Sequence, residues 1–95
     1  MGYHSTNYLN LKLGFQFNET YFKPRGIPLR ELNEIEITDE ELETLRLRYI
    51  KNIDQEDAAK QMGISQSQYQ RDISSVLERI TTALVEGHAI SITKS

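Results

Sequence analysis

The chain has 95 residues and a formal net charge of −3, and 38% of its residues are hydrophobic. These values are typical of one small globular domain rather than a disordered chain. Cysteine is absent, which excludes disulfides and thiolate metal sites. No run approaches the ~18 apolar residues of a membrane helix, and no signal peptide pattern is found, so we expect a cytoplasmic protein.

The acidic residues are concentrated in one part of the chain. From Glu31 to Asp57, ten acidic residues stand against three basic ones, a charge of −7, and the total of −3 leaves +4 for the rest. A solvated helix surface is the expected role of this block, with a protein-binding face as the alternative. A DNA-binding protein with this balance must present its cations locally, because contacts to phosphate supply most of the affinity.

Alternating hydrophobicity predicts a strand near each end of the chain. The first spans Leu9–Phe17, and in the second, HAISITK, Ile90 and Ile92 share one face. The apolar face of the first strand consists of Leu9, Leu11, Leu13, Phe15 and Phe17. Because such a face is too apolar to stay exposed, we expect it to pack on the C-terminal helix or on a second copy, and the protein to form a homodimer.

The stretch TYFKPRGIPLREL follows the first predicted strand. Pro24 and Pro28 fix their own φ and push the preceding residues, Lys23 and Ile27, toward extended conformations. The stretch is therefore expected to be an arm rather than a helix.

Capping signals predict the first two helices. Thr38 and Glu41 form a capping box before a helix over 38–51, and Ile37 can staple onto Leu42. Asp54 caps a second helix over 54–62, with acidic residues in its first turn, where the helix dipole favours them.

A third helix is predicted over 65–86, capped by Ser65 with Gln68 in the capping-box position and terminated by Gly87. Its apolar stripe consists of Tyr69, Ile73, Val76, Leu77, Ile80 and Leu84. The predicted fold is mainly α: a three-helix helix-turn-helix domain with short N- and C-terminal β-strands. Residues 1–37 supply the first strand and the arm, and residues 38–95 the helices and the last strand, in one compact unit.

The second and third helices match a helix-turn-helix motif. Such a motif needs a small residue where the helices touch, here Ala59, and a turn residue that tolerates positive φ, here Gly63. A three-helix bundle with a tight glycine turn is the alternative. The motif usually has an apolar residue at the position of Asp72, so Ile73 is expected to take that role, and Asp72 would repel phosphate if it faced DNA.

Together, the segments TYFKPRGIPLREL, ITDEELETLRL, QEDAAKQMGIS and ALVEGHAISI resemble the domain-of-unknown-function 134 family. The resemblance covers Thr20 to about Ile92. It implies a small prokaryotic DNA-binding protein whose helix-turn-helix is similar to region four of sigma factors. Carried over by position, it implies a recognition helix from Ser65 through Ser75 and a basic arm with Lys23, Arg25 and Arg30. The family often begins with an arginine-rich leader, where this chain has MGYHSTNYLNLKLGFQFN.

The candidate DNA-binding residues lie in the first turns of the third helix and in the arm: Ser65, Gln66, Ser67, Gln70, Arg71, Lys23 and Arg25. The first turns of a recognition helix reach base edges. Glutamine pairs with adenine, arginine with guanine or phosphate, and serine with either. The arm cations can reach phosphates or a minor groove. The alternatives are solvated polar residues on the helix, and Arg25 and Arg30 paired with the acidic block.

The function predicted from these features is sequence-specific binding of double-stranded DNA by a transcriptional regulator. The alternative is a protein–protein interaction module that uses a helix-turn-helix scaffold without DNA binding. An enzyme is not expected, because no nucleophile–base pair or phosphate loop is found. No cofactor is expected either, and His4 and His88 are too far apart in sequence to predict a metal site.

Overall fold

The computed structural model describes residues 20–95, and this part of the chain folds into three α-helices and a three-stranded sheet. The elements in chain order are β1 (Thr20–Phe22), a 3-10 turn (Leu29–Glu31), β2 (Glu34–Thr38), α1 (Asp39–Leu45), a π-helical extension of α1 (Arg46–Ile50), α2 (Gln55–Met62), α3 (Gln66–Glu86) and β3 (Ala89–Thr93). The predicted mainly α class, its three helices and its C-terminal strand are confirmed. The predicted strand Leu9–Phe17 lies outside the described residues.

The strand β3 lies in the middle of the sheet. It pairs antiparallel with β1, where Phe22 is opposite Ile90, and parallel with β2, where Ile37 is opposite Ile92. Sequence patterns predicted neither β1 nor β2, and they assigned Ile37 to the lead-in of the first helix. In the structure Ile37 is a fully buried residue of β2, so burial in the sheet explains its apolar character.

The helix starts form as their caps predict. The Glu41 N–H donates to the Thr38 hydroxyl (3.2 Å), and the Glu41 carboxylate accepts from the Thr38 N–H (3.0 Å). At the start of α2 the Asp57 N–H donates to the Asp54 carboxylate (2.9 Å). These bonds satisfy N–H groups that have no partner within the helix.

A three-residue turn, Gly63 to Ser65, joins α2 to α3. Gly63 has a left-handed backbone (φ 72°). Its N–H donates to the Lys60 carbonyl (3.1 Å), and the Ile64 N–H donates to the Ala59 carbonyl (3.0 Å), which is the pair of bonds of a Schellman motif. The predicted glycine turn and small contact residue are therefore confirmed.

The core beneath this turn is a cluster of Leu47, Ala58, Ala59, Tyr69 and Ile73. The Tyr69 hydroxyl donates to the Thr44 carbonyl (2.6 Å), and burial raises the pKa of Tyr69 to about 12. Ile73 is buried and Asp72 only half-buried. Ile73 therefore takes the packing position that the motif usually assigns to the residue before it, as the sequence predicted.

The C-terminal half of α3 packs on β2 and β3. Arg79 fixes this arrangement, because its guanidinium donates to the Glu36 carbonyl of β2 (2.8 Å) and forms an ion pair with Glu41 of α1. No helix among residues 20–95 is long and apolar enough to cross a membrane.

Candidate nucleic-acid interface

The first turns of α3 present the predicted recognition residues to solvent. Ser65 is the N-cap, and its hydroxyl accepts from the Gln68 N–H (3.1 Å). Gln66, Ser67, Gln70 and Arg71 are all exposed. Because the helix N-terminus carries partial positive charge and free N–H groups, this end of α3 favours contact with phosphate as well as with base edges.

The side chain of Gln70 forms one hydrogen bond at the surface of α3. Its side-chain amide donates to the Ser74 hydroxyl (3.1 Å), and both residues are exposed. Since such a surface bond competes with water, breaking it for a base edge requires little free energy. Gln70 is therefore available to pair with adenine.

Arg71 is part of a chain of side-chain bonds. Its guanidinium donates to the amide oxygen of Gln68 (2.8 Å), and the amide nitrogen of Gln68 donates to the Asp72 carboxylate (2.7 Å). Because a carboxylate only accepts, Asp72 fixes the orientation of the Gln68 amide and turns its oxygen toward Arg71. Asp72 thus positions Arg71 through Gln68.

Gln68 is the site residue that sequence patterns missed. Its place in the capping box suggested a bond back to the start of the helix, whereas its side chain bonds forward along α3. The spacing of Gln68 to Asp72, i and i+4, and of Gln68 to Arg71, i and i+3, is the signal that predicts these contacts.

The arm is a closed turn at the edge of the sheet. Lys23 Nζ donates to the carbonyls of Ile27 (2.7 Å) and Pro24 (3.2 Å), and Gly26 has φ 81°. Arg25 and Arg30 are exposed, and among residues 20–95 no hydrogen bond or ion pair joins either guanidinium to the acidic block. Pairing of Arg25 and Arg30 with the acidic block, which was the alternative to DNA contact, is therefore not found among residues 20–95.

The structure does not bring the arm and the start of α3 together in one chain. The arm leaves the sheet after Phe22, which is paired with Ile90, and the chain returns at Glu34, which is paired with Ala89. Both points are close to the C-terminal end of α3. With 21 residues, α3 is about 30 Å long, so its two ends hold the two groups of candidate residues apart.

Several charged side chains of the acidic block, and basic side chains near it in sequence, form ion pairs or hydrogen bonds within the fold. Glu43 forms an ion pair with Arg46 (2.7 Å), and Arg48 donates to the Ile53 carbonyl (2.9 Å). Burial raises the pKa of Glu41, but hydrogen bonds from Arg79 and from the Thr38 N–H, with the charge of Arg79, outweigh burial and hold that pKa below its ordinary value. The exposed acidic residues of the block are Glu31, Glu34, Glu36, Glu40, Asp54, Glu56 and Asp57.

His88 is engaged locally, since its ring nitrogen Nε2 is 3.0 Å from the Glu86 carboxylate. His4 lies outside the described residues. Among the described residues no group of three or more histidine, aspartate or glutamate side chains is arranged to hold a metal ion.

Comparison with known proteins identifies relatives over most of the chain. The family model described as "Protein of unknown function DUF134" matches residues 16–95. The chain is 48% identical over 73 residues to a UPF0251 protein of Methanosarcina acetivorans, covering 77% of this chain and 65% of the relative. It is 45% identical over 73 residues to a UPF0251 protein of Desulforudis audaxviator, covering 77% of this chain and 48% of the relative.

A UPF0251 protein of Vibrio parahaemolyticus is 42% identical over 69 residues, covering 73% of this chain and 72% of the relative. The chain thus spans about half to two thirds of the length of the first two relatives. No solved structure matches it significantly.

Proposed function

The chain belongs to the DUF134 family of proteins of unknown function, and on this premise we propose that it is a cytoplasmic DNA-binding protein, a transcriptional regulator that reads double-stranded DNA with α3. The observation that carries the proposal is a helix-turn-helix whose second helix exposes polar and basic side chains in its first turns. The turn at Gly63 sets α3 at the surface, and Gln66, Ser67, Gln70 and Arg71 are exposed in its first turns.

The chemistry of these residues suits the reading of bases. Gln70 can present its amide to adenine, and Arg71 can present its guanidinium to guanine. The hydrogen bond that Arg71 donates to the Gln68 amide oxygen limits the freedom of Arg71 before DNA binds, so less conformational entropy is lost on binding.

The arm adds cations that carry no sequence information. Arg25 is exposed, and the ammonium group of Lys23 remains at the surface while it closes the turn. We expect Lys23→Ala and Arg25→Ala to weaken binding to all sequences and to reduce the slope of log K against log salt by about one each. Gel shifts over a range of salt concentrations measure this slope.

A gel shift with fragments of a genome that encodes the protein tests the proposal. The wild type should bind a subset of fragments at ~50 mM salt and lose affinity steeply as salt rises. Arg71→Ala should lower the affinity for the preferred fragment by roughly 10–100-fold, as for the loss of a bidentate base contact. Lys51→Ala is the control, because Lys51 is an exposed cation outside α3 and the arm.

The competing function is a protein interaction module, which the exposed acidic residues of β2 and α1 would favour. Glu34, Glu36 and Glu40 are exposed, and no ion pair joins them to another described residue. If the folded wild type binds no DNA at ~50 mM salt, where phosphate contacts are strongest, the interaction module replaces the proposal.

A further inference from the structure

The π-helical extension of α1 carries two large side chains to the surface. The Lys51 N–H donates to the Arg46 carbonyl five residues earlier (2.9 Å), so this turn is wider than an α-helical one. Tyr49 is 55% exposed and Ile50 71%, whereas Leu47 is buried. Because π-helical turns are rare and are found frequently at functional sites, the exposed aromatic residue is a candidate functional residue.

The π-helical extension lies beside the first turns of α3. Glu41, in the first turn of α1, pairs with Arg79 in the second half of α3. Thr44, later in α1, accepts a hydrogen bond through its carbonyl from the hydroxyl of Tyr69, earlier in α3 (2.6 Å). The two helices therefore run antiparallel, and the residues that follow Thr44 are level with the start of α3. Burial is the main cause of the raised pKa of Tyr69, and the Tyr49 hydroxyl is close enough to raise it further.

The ring of Tyr49 lies against the guanidinium of Arg48. The guanidinium carbon is 5.6 Å from the ring centre, within the range of a cation–π interaction. Arg48 is itself anchored, since its Nη1 donates to the Ile53 carbonyl (2.9 Å). Among residues 20–95 no ion pair neutralises Arg48, and its buried Nε has no hydrogen-bond partner. Within the same residues no hydrogen bond engages the Tyr49 hydroxyl, so the pair combines a free hydroxyl donor with an uncompensated positive charge.

A DNA phosphate is the ligand that matches this pair. A phosphate oxygen carries negative charge and accepts hydrogen bonds, and tyrosine hydroxyls are among the donors that contact phosphates in protein–DNA complexes. Elements that flank a recognition helix meet the sugar–phosphate backbone rather than the base edges. The π-helical extension has this place beside α3.

We infer that the Tyr49 hydroxyl donates to a phosphate that flanks the base pairs read by α3, and that the charge of Arg48 favours this contact. The inference rests on the proposed function, which assigns α3 to the groove. Such a contact fixes the position of α3 on the duplex and carries no sequence information. Lys51 is not part of the contact, because two residues along a helix place its side chain on the opposite side of the turn.

Tyr49→Phe tests the contact, because it removes the hydroxyl and keeps the ring against Arg48. In gel shifts the variant should bind both the preferred fragment and unrelated DNA about tenfold more weakly than the wild type, the lower end for a hydrogen bond to a charged group. The ratio of specific to non-specific affinity should stay the same, since every sequence has the phosphate. The slope of log K against log salt should also stay the same, because a neutral hydroxyl releases no counterion.

Tyr21→Phe is the matched control. Tyr21 is 54% exposed and Tyr49 55%, but Tyr21 lies in β1, which pairs with β3 beyond the C-terminal end of α3. Its hydroxyl is outside the proposed contact, so this variant should bind DNA as the wild type does. Urea unfolding should give the same free energy for the wild type and both variants, because both tyrosines are exposed.

Methylphosphonate substitution identifies the phosphate. Each phosphate of the preferred fragment is replaced in turn by an uncharged methylphosphonate. At one position the replacement should weaken binding of the wild type, and Tyr49→Phe should then cost no further affinity, because the two changes remove the same contact. Wild-type affinity of Tyr49→Phe, or additive losses at every position, overturns the inference and leaves the proposed function intact. A wild type that binds no DNA overturns both.

Discussion

At the scale of single residues, the candidate site depends on the hydrogen bond that Asp72 accepts from Gln68. Its position in the motif suggested a carboxylate that repels phosphate, but the structure engages it with the amide of Gln68, which in turn accepts from Arg71. Asp72 is half-buried, and a carboxylate in this place stabilises one orientation of two neighbours. Asp72 thus narrows the conformations of Arg71, the side chain that we propose to contact a base.

We predict that Asp72→Asn leaves the fold intact and lowers discrimination between the preferred site and other DNA by roughly tenfold, the lower end of what one bidentate base contact is worth. Asparagine can donate as well as accept, so it no longer fixes the Gln68 amide. Competition gel shifts measure the ratio of specific to non-specific affinity. A uniform tightening on all DNA would instead mean that the charge of Asp72 repels phosphate.

At the scale of elements, the ion pair between Glu41 and Arg79 joins α1 to α3. Because the pKa of Glu41 is lowered in the fold, the ionised carboxylate stabilises the native state above the ordinary value of 4.5, and this stabilisation is lost as pH falls through the lower folded pKa. We predict that Glu41→Gln lowers the free energy of unfolding by about 2 kcal/mol at pH 7, as expected for hydrogen bonds to a charged group.

Urea unfolding at a series of pH values measures this effect. The difference in unfolding free energy between the wild type and Glu41→Gln should begin to shrink as pH falls below 4.5 and should vanish only below the lower folded pKa, where Glu41 is neutral in both the folded and the unfolded state. Glu40→Gln is the matched control, since Glu40 is exposed and should show little effect at any pH. If the difference in unfolding free energy between the wild type and Glu41→Gln does not change with pH, the packing of the Glu41 side chain rather than its charge supplies the stabilisation.

The turn between α2 and α3 requires a left-handed backbone conformation at Gly63. Gly63 has φ 72°, and a Cβ added there would meet no atom within 4 Å. We predict that Gly63→Ala lowers the free energy of unfolding by about 1–2 kcal/mol, from backbone strain alone. Gly63→Asn should be less destabilising, because asparagine adopts the left-handed region more readily. Chemical denaturation checks both values, and equal stability of alanine and asparagine would contradict this explanation.

The elements that sequence patterns predict are those with local signals. Thr38, Asp54 and Ser65 cap helices through bonds to residues three positions away, so the chain itself carries the information. The strand β2 was missed because its five residues are held by pairing with Ala89–Thr93, more than fifty positions later. The separation of the arm from the start of α3 has the same cause: it depends on sheet register, which no local pattern reveals.

At the scale of the whole molecule, the distribution of charge limits how the proposed DNA contacts can act together. The net charge is −3, and the arm and the start of α3 lie near opposite ends of a helix that is about 30 Å long. One chain therefore offers DNA two separated groups of contacts with few cations in each, and counterion release from either group is small. A two-fold dimer, the commonest oligomer, would double these contacts, and we propose that the protein binds DNA in this form.

We therefore predict cooperative binding to two half-sites related by a two-fold axis, with centres one turn of DNA or a multiple of it apart. Moving one half-site by about 5 base pairs places it on the other side of the duplex and should abolish the cooperativity, because a dimer holds its two recognition helices in a fixed relation. Gel shifts on a series of spacings measure this dependence. Lys51→Ala is the control, because Lys51 is an exposed cation outside α3 and the arm, so the variant should keep the preference for spacing. A wild type that binds all spacings equally would contradict binding as a dimer, whatever its affinity for one site.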